Sequence, residues 1–236
     1  MNYVIDIAIG LIIVMGAIVG FKEGAIKRST SFFGTIIIAI IAFKFKNYLS
    51  VLMYENLPFL DFGGLIKGVG VINILIYELL AFVIIFVGLS VLLRILLVVS
   101  GLIEKILKMT IFLSIPSKVL GIFIGALEYY IYTFLVLVFL SIPVFKINSY
   151  IEQSSLATGI INNTPVLSSM ASNTINTYTE VYDILHDNKN QNSTELNIEI
   201  VKILLDNKIV TPDSLDKLIE RNKIDLGDGS VIDPYR

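Results

Sequence analysis

Four long apolar runs dominate the chain: Val4–Phe21, Thr30–Phe45, Val71–Val99 and Val119–Phe145. A bilayer hydrocarbon core about 30 Å thick needs roughly 20 helical residues to cross it. The first two runs are short for a span. The last two are long enough to tilt or to extend past the interface. None alternates with the period of two that a transmembrane barrel requires. In lipid, only helices and closed barrels satisfy their own backbone, so four membrane helices are predicted. Val4–Phe21 has no basic segment before it, and its positive charges follow it. It therefore reads as a retained first span and not as a cleaved signal.

Composition agrees with this reading. The chain is 55% hydrophobic and 16% charged, where an average soluble domain has about 25% charged residues. The formal net charge of −2 conceals two parts. Residues 1–146 carry eleven Lys and Arg against seven Asp and Glu, net +4. Residues 147–236 carry seven against thirteen, net −6, and are rich in Asn, Ser and Thr. Such a shift marks a boundary. The expected fold is all-α: a transmembrane four-helix bundle over 1–146, followed by a polar, partly helical tail over 147–236. With no Cys and one His, thiolate chemistry and clustered-His metal or acid–base chemistry are excluded. No cofactor or metal is expected.

Basic residues orient a bundle. Lys22, Lys27, Arg28, Lys105, Lys108 and Lys118 fall on one side, and Lys44, Lys46, Lys67 and Lys146 on the other. The bias places both termini outside the cytoplasm. Tyr48, Tyr54 and Tyr77 then belong to the outer interface. The Leu102–Leu113 segment is amphipathic; it either lies in the headgroup plane or continues the third helix. Asn47–Gly70, with Pro58 and four glycines, reads as a flexible connector or a re-entrant segment.

Small residues recur at intervals of four: Gly16, Gly20 and Gly24 in the first helix, Gly121 and Gly125 in the fourth. Such faces let membrane helices approach closely, within one bundle or between copies. Ionisable residues inside apolar runs are costly and normally find partners. If Val99 and Val119 share a depth, the helix rise of about 1.5 Å per residue puts Arg94 one turn from Glu128. An Arg94–Glu128 pair is expected, with Tyr132 on the Glu128 face. Asp6, Glu78 and Lys44 are expected to cluster at the outer end. This polar set is either a register-fixing ion pair or a track for an ion or small solute.

The opening Asp6 followed by Gly16–Ala17–Ile18–Val19–Gly20–Phe21–Lys22–Glu23–Gly24 resembles the N-terminal signature of the colicin V production protein family. So do Arg94, the basic turn after it, and Leu120–Gly121–Ile122–Phe123–Ile124–Gly125. The segment Asn162–Asn163–Thr164–Pro165–Val166–Leu167 adds to the likeness. The resemblance implies a multi-pass protein of the bacterial cytoplasmic membrane, tied to toxin production or export and to envelope homeostasis. In some relatives a similar four-helix unit anchors a protease domain outside the cytoplasm. The resemblance supplies no catalytic residue.

In the tail, helices are predicted around Ser168–Leu185 and Glu195–Lys208. A third starts at Thr211–Pro212–Asp213, where a capping hydroxyl, a first-turn Pro and an acid coincide. Leu215, Leu218 and Ile219 would pack on Ile203, Leu204 and Leu205 as a small hairpin. Gly227–Arg236 is expected to fray, and His186 to sit in an exposed loop. The tail holds no GxSxG, HExxH, P-loop or GxGxxG pattern, and the chain is expected not to be an enzyme. Its acidity makes nucleic acid a poor partner. The expected partners are the lipid bilayer, envelope or secretion proteins met through the tail, and further copies of the chain. The competing function is a small oligomeric channel or transporter subunit built around the Arg94, Glu128 and Tyr132 track.

Overall fold

The computed structural model describes residues 3–59, 70–99, 114–142, 147–187 and 192–236. Its regular structure over these segments is helical. Four long helices are α1 (Tyr3–Glu23), α2 (Ala25–Asn56), α3 (Ile72–Val99) and α4 (Ser114–Leu140). Shorter ones follow as α5 (Asn148–Glu152), α6 (Ser155–Asn163), α7 (Leu167–Asp187), α8 (Ser193–Asp206) and α9 (Pro212–Glu220), with a final 3₁₀ turn at Ser230–Tyr235. Among the described residues, α1 to α4 are long and apolar enough to cross a membrane. The amphipathic Leu102–Leu113 segment, Lys67 and Lys146 lie outside the described residues.

Two compact units are present: Met1–Ile41 with Phe86–Ser172, and Ala42–Ile85 with Asn173–Arg236. Packing therefore does not divide where composition does. The first part of the polar tail belongs with the first unit, and the remainder with the second.

In the first unit α1 runs along α4. Gly24 ends α1 in the left-handed region at φ 79°, which costs a glycine nothing, and its N–H closes on the Gly20 carbonyl at 2.9 Å. Helix α2 starts at the next residue, and the Ala25 N–H donates to Ser117 Oγ at 3.1 Å. Gly16 faces Gly125, and Gly20 faces Gly121. A Cβ on Gly16 would stand 2.5 Å from the Gly125 carbonyl oxygen, and one on Gly20 would meet the Gly121 carbonyl oxygen. The small faces thus pack against each other inside one chain. Helix α4 tolerates Pro116 in its first turn, where the missing N–H has no helical acceptor. Helix α6 packs on both α1 and α4.

The second unit is built on the end of α2 and the start of α3. Its core holds Tyr54, Ile74, Leu75 and Tyr77 with Tyr178, Ile200, Leu204, Leu215 and Leu218. The predicted tail helices are present, and the Thr211 hydroxyl caps α9 by accepting the Ser214 N–H at 3.3 Å. Four expectations are corrected. Asn47–Asn56 is not loop but the continuation of α2, whose 32 residues span roughly 48 Å at 1.5 Å each. Tyr54 and Tyr77 are buried, although Tyr48 is exposed. Gly227–Arg236 is not frayed, because Ile232 is 1% exposed and anchors the 3₁₀ turn. His186 lies in the last turn of α7 and stacks on Tyr182. The turn before the C-terminus is fixed by Asp225, whose carboxylate is held below its ordinary range by the Thr194 hydroxyl and the Gly227 N–H.

Candidate functional site: the buried charges of the bundle

Glu128 projects from α4 and is 1% exposed. An isolated carboxylate there would be costly, and α2 supplies its partners. Arg28 Nη1 donates to Oε2 at 2.6 Å. Ser31 Oγ donates to Oε1 at 2.5 Å, and Tyr132 OH donates to the same oxygen at 3.2 Å. Tyr132 OH also lies 3.1 Å from Thr35 Oγ1. Arg28, Ser31 and Thr35 share one face of α2 by helical spacing, as Glu128 and Tyr132 do on α4. The order of these contacts shows α2 running parallel to α4, while the glycine contacts show α1 antiparallel to it. Arg28 Nη2 reaches Glu23 Oε2 at 2.8 Å, and Lys27 Nζ reaches Glu23 Oε1 at 3.0 Å. Two acids and two bases are thus linked, with Arg28 itself only 9% exposed. Arg28 Nε is buried with no hydrogen-bond acceptor.

The expected Arg94–Glu128 pair is therefore corrected to Arg28–Glu128. Arg94 is exposed on α3 and makes no ion pair among the described residues. Depth alone allowed the Arg94 pairing. The helix faces decide against it, because the tight α1–α4 contact and the one-residue break at Gly24 lay the start of α2 over Glu128. In the sequence Arg28 counts only among the basic residues that orient the bundle. The signal that finds it is its spacing with Ser31 and Thr35 at the entry to an apolar run.

The Asp6, Glu78 and Lys44 cluster is also corrected, since each has separate surroundings. Glu78, 1% exposed, forms its ion pair with Lys46 of α2, and Lys46 Nζ donates further to Thr174 Oγ1 at 2.7 Å. The second Glu78 oxygen, Oε2, is buried with no donor. Lys44, two residues from Lys46, points to the opposite, exposed side of α2. Asp6 accepts from Ser154 Oγ at 2.5 Å and from the Leu156 N–H at 3.2 Å, so it caps the first turn of α6 from α1.

A second charged group lies at the end of α2. That helix has no basic residue in its last turn, yet its final carbonyls need donors. Lys223 Nζ donates to the carbonyls of Tyr54, Glu55 and Leu57 at 2.8, 2.7 and 2.8 Å. Arg221 also donates to the Glu55 carbonyl. Lys217 Nζ lies 3.2 Å from both Glu55 carboxylate oxygens. Desolvation and the adjacent Arg221 lower the Lys223 ammonium below its ordinary value.

Four apolar helices, close glycine packing and internally paired charges define a multi-pass helical membrane protein. The family model described as colicin V production protein matches residues 5–165, and the chain belongs to that family. It is 33% identical over 172 residues to an uncharacterized transmembrane protein, YshB, of Bacillus subtilis (strain 168), covering 70% of this chain and 94% of that one. No solved structure matches.

Proposed function

We propose that the protein is a membrane anchor and assembly factor of the bacterial cytoplasmic membrane, serving envelope homeostasis and the production or export of a bacteriocin-type toxin. The observation that supports this most is the full engagement of Glu128. Both of its oxygens are bonded to Arg28, Ser31 and Tyr132, which suits a fixed register better than a carrier of passing ions. The glycine faces are occupied within the chain, so they are not free to build the oligomeric channel that was the competing reading. The bundle then serves as a rigid support, and the polar tail meets envelope or secretion proteins. No chemical step is assigned to the protein.

Both termini are proposed to lie outside the cytoplasm. Lys22, Lys27 and Lys118 gather at one end of the α1–α4 pair, where Lys118 Nζ stands 5.9 Å from the Phe21 ring. A basic end of this kind faces the cytoplasm.

Purified protein reconstituted in liposomes is expected to add no flux of ions or small solutes over protein-free vesicles. Deleting the gene in its bacterium is expected to lower tolerance of envelope stress. Flux above the vesicle background overturns the anchor reading.

A further inference from the structure

We infer that residues 155–172, placed by composition in the polar tail, form a re-entrant hairpin whose tip at Pro165–Val166 contacts lipid acyl chains. The first observation is depth. Gly16 faces Gly125 and Gly20 faces Gly121, so α1 and α4 run past each other in a known register. Tyr130 of α4 is then level with Leu11 of α1, roughly 8 Å further along α1 than Asp6 at 1.5 Å per residue. Helix α6 joins these two levels. Its first turn is held by Asp6, and just past its last turn Thr164 Oγ1 lies 3.1 Å from Tyr130 OH. A helical side chain leans toward its own N-terminus, which carries the Tyr130 hydroxyl deeper still. Helix α6 thus lies alongside both spans, and Ser168 at the start of α7 folds back onto Ile161.

The second observation is chemistry suited to that depth. No Asp, Glu, Lys or Arg occurs between Glu152 and Glu180. Non-helical backbone inside a bilayer must find its hydrogen bonds within the protein. Here the side chains fold back to supply them. Asn163 Nδ2 donates to the Gly159 carbonyl at 2.9 Å, and Thr164 Oγ1 to that of Ile160 at 2.6 Å. Ser168 Oγ reaches the Ile161 carbonyl at 2.5 Å, Ser169 Oγ that of Val166 at 2.8 Å, and Ser172 Oγ that of Ser168 at 2.7 Å. Within the turn, the Leu167 and Ser168 amides close on the Pro165 and Thr164 carbonyls at 2.7 and 2.9 Å.

The third observation is the tip itself. Val166 is 62% exposed and sits at φ 65°, where a β-branched residue is rare and strained. Through Thr164 and Tyr130 the tip stands level with the part of α1 that exposes Ile7, Leu11 and Val14, and at that depth of a spanning helix the surroundings are lipid.

The chain has no Cys, which makes single thiols informative. Val166→Cys and Ser169→Cys, both exposed at the tip, are compared with the exposed Gln153→Cys before α6. The full-length protein is placed in lipid nanodiscs, so that both faces are reachable. Both tip thiols are expected to react roughly tenfold more slowly than Gln153→Cys with a charged maleimide, as immersion below the interface requires. A nitroxide at Val166→Cys is expected to meet dissolved oxygen more than a water-soluble nickel chelate. Tip labelling as fast as at Gln153→Cys places the hairpin in water and overturns the inference. So does a nitroxide shielded from both probes, which would mean that protein covers the tip.

Discussion

A carboxylate inside a membrane bundle is costly unless partners surround it, and Glu128 has a cation and two hydroxyls. Removing one member of such a pair strands the other, which costs about 3–5 kcal/mol. Replacing both with apolar residues of similar volume is often close to neutral. Glu128→Ala is therefore expected to destabilise the protein by about 3–5 kcal/mol, because Arg28 is buried and its Nε already lacks an acceptor. The double substitution Arg28→Met with Glu128→Leu is expected to recover most of that loss. Arg94→Ala, on the exposed side of α3, is expected to change stability by less than about 0.5 kcal/mol. Unfolding in detergent micelles, followed by circular dichroism for the three variants and the parent, checks all three outcomes. A Glu128→Ala loss no larger than that of Arg94→Ala would mean that the pair does not hold the register of α2 on α4.

The α1–α4 contact is an element-scale device, since its closeness comes from four glycines acting together. At Gly20 a Cβ would enter backbone of the opposite helix, which has no side chain to swing aside. Gly10 lies on the same helix with nothing within 4 Å of its would-be Cβ. Gly20→Ala is thus expected to lose about 1–3 kcal/mol by overpacking, while Gly10→Ala gains up to about 1 kcal/mol of helix propensity. Thermal unfolding of the two variants in micelles gives the comparison, and equal shifts would sink the idea of a close α1–α4 contact. These elements were legible to different degrees. The membrane helices showed in the sequence because lipid permits little else, and the glycine spacing because it is local to each helix. The start of α9 was equally legible, since Thr211 and Pro212 act within one turn. The end of α2 was not. After Phe45 it is covered by the protein's own polar tail, so hydropathy falls while the helix continues. The partner of Glu128 was missed for a related reason. Depth can be counted along a sequence, but the face that a neighbouring helix turns inward is set by packing. Ile232 was hidden likewise, as the short pair Val231–Ile232 in a Gly- and Asp-rich segment carries no periodicity.

At the scale of the molecule, the compositional tail is not an appendage. From Asn173 onward it completes the second unit, whose buried residues include Tyr54, Ile74, Leu75 and Tyr77 together with Tyr178, Ile200, Leu204, Leu215 and Leu218. It also supplies Thr174 to Lys46 and three cations to the end of α2. Each large apolar side chain left uncovered costs roughly 1.5–3 kcal/mol, and cutting the tail removes the buried Tyr178, Ile200, Leu204, Leu215 and Leu218 from this core. A chain truncated after Ser172 is therefore expected to accumulate poorly in membranes and to be cleared by proteolysis. Loss of function in such a truncation would then report lost folding, and would say nothing about a partner surface. Charge reversal on the exposed acids of α8, Glu195→Lys with Glu199→Lys, avoids this confusion. Both side chains are solvent-facing, so the unfolding temperature and membrane abundance are expected to stay at parental levels. If the tail recognises a basic partner through this face, envelope-stress tolerance falls in the reversal variant while abundance does not. Should the Ser172 truncation instead reach parental abundance and unfold at the parental temperature, the second unit is not a cooperative part of the fold.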